Sequence, residues 1–217
     1  MKFSIKKEVL LEALNKVSKA ISTKNVIPVL AGIKFHLNKK KLTLTASDND
    51  ITIETSIPCD NENIILKEEG SIIIQGKYIL DIVRKLPDEF INIEVVDDLK
   101  ILIYTENSEF NLNGISEKEY PSIELIESKN HIELSKTTLK EIVNQTAFAT
   151  SLDENKAILN GINFNIIGNI LECNATDSYR LARKVINLST TAEENLNIVI
   201  PSKNLVEFTR ILSEGDE

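Results

Sequence analysis

The octapeptide ATDSYRLA, at residues 175–182, places four consecutive side chains that could take part in catalysis or binding. Asp177, Ser178, Tyr179 and Arg180 supply an acid, a hydroxyl, a phenol and a guanidinium. Residues of these types could build the active site of a hydrolase or a transferase that uses Asp177, Ser178 and Arg180. An enzyme is therefore one hypothesis for this chain.

Nucleophilic catalysis needs a base that the sequence does not place nearby. A serine is activated by a group such as histidine within hydrogen-bond reach. The chain has two histidines, His36 in a predicted strand and His131 further on, and neither is near Ser178 in sequence. No glycine-rich phosphate loop or HExxH motif occurs, and Asp48–Asp50 lacks the further ligands and the glycine of a calcium loop. We therefore expect no catalytic residue, no metal site and no cofactor.

A second interpretation assigns the octapeptide to structure and binding. Asp side chains accept hydrogen bonds from the backbone two residues on and tighten the turn after a strand, which would account for Asp177. Arg180 would then pair with Asp177 at the surface, which contributes little to stability. Tyrosine and arginine are enriched at binding hot spots, so Tyr179 and Arg180 favour a protein-binding surface.

The chain contains an internal duplication. Ordered matches recur at a nearly constant offset: Leu30–Phe35 with Leu159–Phe164 and Leu42–Asp48 with Leu171–Asp177 at 129, then Ile74–Leu80 with Ile200–Val206 at 126. A period of about 128 residues is a domain rather than a solenoid repeat. The sequence predicts a first domain at residues 1–127 and a second at residues 128–217. The second copy stops at the equivalent of Ile91, so we expect its C-terminal part to be missing.

Hydrophobic periodicity predicts the elements that position these residues. A helical period marks residues 9–17 and 78–86, and Pro87 ends the second helix. Alternation predicts strands at residues 3–5, 33–37, 42–45, 51–53, 72–74, 91–95, 101–104 and 110–112. The predicted fold class is α+β. Each duplicated domain is a strand, a helix and three strands, repeated twice, with the helices on one face of the sheets.

The charge distribution is uneven. The formal net charge is −8, which by itself argues against a nucleic-acid partner. Met1–Pro87 nevertheless holds 14 basic and 10 acidic residues, whereas Asp88–Glu127 holds 11 acidic and 2 basic. Screening confines each patch to about 10 Å, so an acidic protein can still present a basic face.

Basic residues recur on the predicted helices. Lys77 and Arg84 lie two turns apart and so point to the same side, and Lys203 and Arg210 repeat this spacing. One interpretation is a solvated face with the ion pairs Lys77–Asp81 and Lys203–Glu207. The other is a stripe of cations that contacts phosphates without reading bases.

Compartment signals favour a cytoplasmic protein. The N-terminus has charges where a signal peptide needs an apolar run, and the apolar stretches are too short to cross a bilayer. Cys59 and Cys173 lie far apart without a CxxC spacing, which predicts reduced thiols, no disulfide and no zinc.

Segments along the whole chain resemble the bacterial DNA polymerase III beta subunit, the sliding clamp. They are MKFSIKKEVLLEALNKVSKAI, IPVLAGIKF, LTASD, DIVRKLP, FNLNGISEKEYPSI, ILNGINF, ATDSYRLA and IVIPSKNL, in the family's order. The resemblance implies a DNA polymerase processivity factor without catalytic activity. Family members have three similar clamp-type domains per subunit, and two subunits close around double-stranded DNA as a homodimer ring. The third domain would be absent from the present sequence.

The resemblance also implies roles for individual residues. The family's partner-peptide pocket in the second domain corresponds to Leu159, Thr176, Ser178, Tyr179, Arg180 and Leu181. The implied partners there are the DNA polymerase III alpha subunit, the clamp loader and repair polymerases. Lys24 matches a DNA-contacting position, and Lys77, Arg84, Lys203 and Arg210 fall on the DNA-facing helices. Phe110 and Leu112 match the edge strand at the dimer interface.

One alternative within the same architecture stays open. A duplicated scaffold could bind proteins through the second domain without contacting DNA. Charge reversal of the helix cations would separate the two hypotheses, because only a DNA-binding clamp would be affected.

Overall fold

The computed structural model describes residues 1–21, 27–48, 50–97, 99–122, 132–153, 155–189 and 195–212. The chain divides into two units, Met1–Ile123 and Glu124–Glu217. The predicted boundary between residues 127 and 128 lies outside the described residues, so those limits stay a prediction. Within the described ranges, no helix is long and apolar enough to cross a membrane.

The first unit contains two helices and two antiparallel sheets. One sheet has the strand order β5-β1-β7-β8-β9 and the other the order β4-β3-β2-β6. Strand, helix and three strands occur twice, as β1-α1-β2-β3-β4 and as β6-α2-β7-β8-β9, which confirms the predicted α+β class. The elements are β1 (Lys2–Lys6), α1 (Lys7–Val17), β2 (Gly32–Leu37), β3 (Lys41–Ser47), β4 (Thr52–Pro58), β5 (Ile64–Glu68), β6 (Gly70–Gln75), α2 (Gly76–Lys85), β7 (Phe90–Val96), β8 (Lys100–Tyr104) and β9 (Glu109–Asn113).

Strand β5 was not predicted, and its sequence explains why. Ile64, Ile65 and Leu66 are three consecutive apolar residues, so they lack the alternation that identifies a half-buried strand. The segment is held by non-local pairing with β1, where Ile64 lies opposite Ile5. Ile64 is fully buried, whereas Ile65 points outward.

The core of the first unit follows the predicted periodicity. In β2, Ile33, Phe35 and Leu37 are buried, while His36 between them is exposed. Both helices turn their apolar stripe to the same aliphatic core. Full burial of one such side chain contributes about 1.5–3 kcal/mol relative to exposure. The helix residues in this core are Leu10, Ala13, Leu14, Val17, Ile79 and Val83.

The second unit repeats one sheet of the first. Its sheet has the order β12-β11-β10-β13, the counterpart of β4-β3-β2-β6, which supports the duplication at the level of topology. Residues 132–135 form no strand, because β1 pairs with β5 and β7 and the described second unit contains no counterpart of β7. The elements are α3 (Lys136–Thr146), β10 (Gly161–Ile167), β11 (Ile170–Thr176), β12 (Leu181–Asn187), β13 (Leu196–Pro201) and α4 (Ser202–Ile211).

A lysine ammonium binds the C-terminal end of the second helix in both units. Lys7 of α1 donates to the carbonyl oxygen of Leu86, which follows α2. In the second unit, Lys140 Nζ of α3 donates to Leu212 O, which follows α4, at 2.9 Å. A cation at this end satisfies an orphan carbonyl and interacts favourably with the helix dipole. In each unit, a lysine of the first helix thus contacts the end of the second helix. The two lysines occupy different positions along their helices.

The Lys7 contact is expected to stabilise the first unit. We expect Lys7→Met to lower the free energy of unfolding by about 1–2 kcal/mol, since it removes a charged donor from a partly buried carbonyl. Lys19→Met, at an exposed position, is the control and should change it by less than about 0.5 kcal/mol. Urea titration followed by circular dichroism measures both, and equal losses would contradict the proposed contact.

Candidate functional site

Asp177 organises the turn between β11 and β12. Its Oδ1 accepts the backbone N–H of Tyr179 at 2.9 Å and that of Arg180 at 3.0 Å. Its Oδ2 accepts the Nε–H of Arg180 at 3.0 Å. These bonds, first of all that from the Tyr179 N–H, lower the pKa of Asp177. The carboxylate therefore supports the turn above its unfolded pKa of about 3.9 and loses this role as the pH falls through the lowered value.

The first unit builds the same turn between β3 and β4. Asp48 Oδ1 accepts the backbone N–H of Asp50 at 3.1 Å and that of Ile51 at 2.9 Å. The donors lie two and three residues after the aspartate in both copies, as expected for an Asx turn. The turn-tightening interpretation of Asp177 is therefore confirmed, and both of its oxygens are engaged.

Thr176 and Ser178 close the turn from the inside. The Thr176 hydroxyl donates to Arg180 O at 2.7 Å and accepts the backbone N–H of Ser178 at 3.1 Å. Ser178 has a φ of +79°, in the left-handed region that side-chain-bearing residues seldom adopt. The described residues of the second unit include no histidine, so no imidazole there can activate Ser178.

Metal binding and thiol chemistry are the other reactions that side chains of these types could support. Among the described ranges, no group of three or more His, Cys, Asp or Glu could hold a metal ion. Cys173 is fully buried in the core of the second unit, and burial raises the pKa of its thiol to about 12. Its thiol therefore stays protonated near neutral pH.

The turn presents Tyr179 and Leu181 to solvent. The Tyr179 residue is 94% exposed and Leu181 is 68% exposed, which is unusual for large side chains at the end of an ordered strand. The Arg180 guanidinium lies 5.6 Å from the ring centre of Phe148, a cation–π contact. Phe148 is itself exposed, and the sequence analysis missed it because its partner is 32 positions away.

A cavity of about 210 Å³ lies on the sheet beside this turn. Of the six predicted pocket residues, Leu159 and Thr176 line it. Leu181 is directly opposite Thr176 in the β11–β12 pairing, and Ser178, Tyr179 and Arg180 form the turn between those strands. The predicted set is thus divided between the cavity wall and the adjoining turn. The lining residues that the sequence analysis missed are Ile158, Gly161, Asn163, Asn174, Ala175 and Val199.

Gly161 keeps β13 close to β10 at the cavity. A Cβ at this position would lie 2.5 Å from Val199 Cγ1 and 2.6 Å from Ile200 O. No side chain fits without displacing β13, since the second contact is with the backbone. The close approach of these strands brings Val199 into the cavity wall.

The predicted cations are exposed on their helices. Within the described chain, Lys77, Arg84 and Lys203 form no ion pair or side-chain hydrogen bond, so Lys77–Asp81 and Lys203–Glu207 are not formed. Arg210 pairs instead with Glu207, three residues earlier. Lys24 lies outside the described residues. The contribution of all five residues to DNA binding stays a prediction.

Strand β9 forms one edge of the five-stranded sheet. It pairs with β8, and its other edge has no partner strand among the described residues. Phe110 is 38% exposed on this strand, while Leu112 is half-buried against the core. An unpaired edge with an exposed aromatic side chain is a suitable surface for strand addition, and the dimer-interface role of Phe110 and Leu112 stays a prediction.

Substitution of Asp177 tests its role in closing the turn. We expect Asp177→Ala to speed amide hydrogen exchange at Tyr179 and Arg180 by about five- to tenfold, because each loses its acceptor. Asp177→Asn retains an oxygen acceptor and should preserve most of the protection. NMR exchange rates measure this difference, and identical rates in all three proteins would exclude the turn-closing role.

Known proteins resemble this chain over its whole length. The sequence profile described as "DNA polymerase III beta subunit, N-terminal domain" matches residues 1–124, and that of the central domain matches residues 133–217. The beta sliding clamp of Halalkalibacterium halodurans is 42% identical over all of this chain, and that of Bacillus subtilis is 39% identical. The chain covers 58% of the length of each of these relatives.

Solved structures agree with the sequence comparison. The DNA polymerase sliding clamp from Bacillus subtilis matches with a TM-score of 0.95 and 39% identity, over all of this chain and 58% of that one. The DNA polymerase III beta chain from Streptococcus pneumoniae gives 0.94 and 34%, over 98% and 57% of the two chains. The recognised resemblance is confirmed: the chain belongs to the DNA polymerase III beta subunit family, in which it corresponds to the N-terminal and central domains.

Proposed function

We propose that this chain is part of a DNA polymerase processivity factor, a sliding clamp that encircles duplex DNA and docks its partners through a peptide pocket. The observation that supports this most directly is the family membership, since residues 1–124 and 133–217 match the N-terminal and central domains of the DNA polymerase III beta subunit. The hydrogen-bonded turn at residues 176–181 beside the 210 Å³ cavity is consistent with the docking part of this function. A clamp performs no chemistry, and this agrees with Asp177 being engaged in its own turn.

The second unit supplies the features of a peptide-docking site. The cavity wall contains Ile158, Leu159 and Val199, which can accept an apolar anchor. Tyr179 and Leu181 stand exposed next to it, and exposed large side chains of this kind mark interaction surfaces. The hydrogen bonds of the turn fix their backbone before a ligand arrives, which lowers the ordering cost of binding. The partners are the DNA polymerase III alpha subunit, the clamp loader and repair polymerases.

The helices supply the features of a phosphate-binding surface. Lys77 and Arg84 point away from the core residues Ile79 and Val83, and they have no local partner among the described residues. Such cations neutralise phosphates and bind DNA without reading its sequence. Lys24 in the first unit, and Lys203 and Arg210 in the second, are proposed to contact phosphates in the same way.

The proposed assembly is a homodimeric ring in the bacterial cytoplasm. In the full-length protein, β9 with Phe110 and Leu112 would pair with the third domain of a second subunit, because its edge is open and partly apolar. Retention on DNA then follows from topology rather than from tight binding. We place the domains at residues 1–127 and 128–217, with the third domain and the end of the second supplied by the full-length protein.

Truncation of the exposed side chains of Tyr179 and Leu181 should weaken peptide docking. We expect the double variant Tyr179→Ala and Leu181→Ala to weaken binding of a fluorescent peptide from the polymerase alpha subunit by about 30-fold or more, the cost of a hot spot. The control is Ile170→Ala with Val185→Ala, two exposed apolar residues of the same hairpin that lie away from the turn. Fluorescence polarisation measures both, and equal affinities in the two variants would remove the pocket assignment.

Charge reversal on α2 should weaken DNA binding specifically. We expect Lys77→Glu with Arg84→Glu to reduce the affinity for duplex DNA and to lower the slope of log K against log salt by about 2. Lys39→Glu with Lys40→Glu makes the same charge change at an exposed β2–β3 turn and is the matched control. Electrophoretic titrations at several salt concentrations compare them. The same salt slope in both variants would favour the scaffold that binds proteins without contacting DNA.

A further inference from the structure

The first unit has a small apolar cluster apart from its main core. Ile73 of β6 belongs to this cluster, whereas Ile72 and Ile74 on either side of it face the main core. Because side chains alternate along a strand, the cluster lies on the opposite face of the four-stranded sheet. Its buried members are Leu30, Ile73 and Tyr120, with Val29 and Ile115 packed against them.

This region of the first unit is the counterpart of the cavity lining in the second unit. The offsets of the internal duplication relate the positions, and the strand registers agree with them. Ile73 lies opposite Lys34, and their counterparts in the second unit are also opposite each other. The correspondences are Val29 to Ile158, Leu30 to Leu159, Lys34 to Asn163, Ser47 to Thr176 and Ile73 to Val199.

The segment that follows β9 pairs with the edge of this sheet. The Ile73 N–H donates to Ile115 O at 3.0 Å, and the Ile115 N–H donates to Ile73 O at 2.9 Å. Gly114 permits the approach, since a Cβ at this position would lie 2.7 Å from Ile72 Cγ1. Backbone hydrogen bonds to a strand edge are also the means by which an extended peptide adds to a sheet. The chain therefore docks on its own β6 immediately after β9.

Tyr120 covers the cluster at the end of the same segment. One turn of 3₁₀ helix, Glu117–Glu119, separates it from the strand pairing. Burial raises the pKa of the Tyr120 phenol to about 12, and the backbone of Ser47 acts on it in the opposite direction, so the tip of the ring lies near Ser47. Glu117 Oε2 lies 4.0 Å from Lys34 Nζ. The segment thus contacts both apolar and polar counterparts of the cavity lining.

We propose that the first unit contains a closed counterpart of this cavity, and that Ile115–Tyr120 is a built-in ligand that keeps it closed. Tyr120 is the anchor, packed with Leu30 and Ile73. Ile73 is fully buried, whereas its counterpart Val199 is 38% exposed. The segment is joined to β9 through a single glycine, so its effective concentration at the site is at least millimolar and a free ligand competes poorly with it. Closure of the first unit does not depend on which ligand the second unit binds.

Amide hydrogen exchange distinguishes a docked segment from a part of the core. We expect Tyr120→Ala to accelerate exchange at the Ile73 and Ile115 N–H groups about tenfold more than at Phe35 in the central strand β2, because a docked segment opens without unfolding the unit. Ile103→Val, in the main core, is the control and should accelerate exchange at Phe35 alone. Equal acceleration at all three amides in Tyr120→Ala, or an unfolded first unit, would make Tyr120 a core residue and overturn the proposal.

Phenol, the group that Tyr120→Ala removes, tests whether the vacated site binds a ligand. In this variant we expect millimolar phenol to shift the methyl NMR signals of Leu30 and Ile73 saturably and to slow exchange at Ile115 about threefold. The unsubstituted chain and Tyr120→Phe both keep the ring in the site, so phenol should leave the same signals unchanged in both. Equal shifts in all three proteins, or no shift in Tyr120→Ala, would contradict the proposal.

Discussion

The carboxylate of an aspartate that accepts two backbone N–H groups is the constraint on which the binding surface depends. At Asp177 it fixes the path from β11 into β12, and Asp48 does the same between β3 and β4. The turn is local, so its geometry does not depend on what the following side chains are. The aspartate fixes the backbone of the turn but leaves its other side chains free to vary. One copy of a duplicated domain can therefore acquire a new binding surface at this turn.

The two copies differ at the positions that this turn presents. Ile51 packs against the core of the first unit, whereas its counterpart Arg180 lies over the ring of Phe148 at the surface. The counterpart of Phe148 in the first unit is Lys19. Apolar and cationic residues have thus exchanged places between the copies. Tyr179 and Leu181 of the second unit are also exposed beside a cavity, which supports the proposal that peptides dock there.

Sequence alone predicted the features that depend on local or repeated patterns. The duplication, the α+β elements and the turn at Asp177 follow from periodicity and from residues a few positions apart. Strand β5 and Phe148 escaped detection, because pairing with β1 and contact with Arg180 depend on the folded chain. Asn163, Asn174 and Val199 were missed for the same reason, since neighbouring strands that are distant in sequence bring them together. The four-residue spacing on a helix suggested the ion pairs Lys77–Asp81 and Lys203–Glu207. This spacing permits such a pair but does not require it to form.

The distribution of ion pairs makes the two cation-bearing helices unequal. Lys77 and Arg84 of α2 have no partner among the described residues, so they can meet a phosphate without breaking a contact. On α4, Arg210 must first break its ion pair with Glu207. Of the two cations on this helix, Lys203 is the one without a partner among the described residues. Because each neutralised phosphate contributes through counterion release, the proposed DNA contact should depend more on the first unit than on the second. Contacts of this kind are weak individually and independent of base sequence, and a protein that moves along DNA requires both properties.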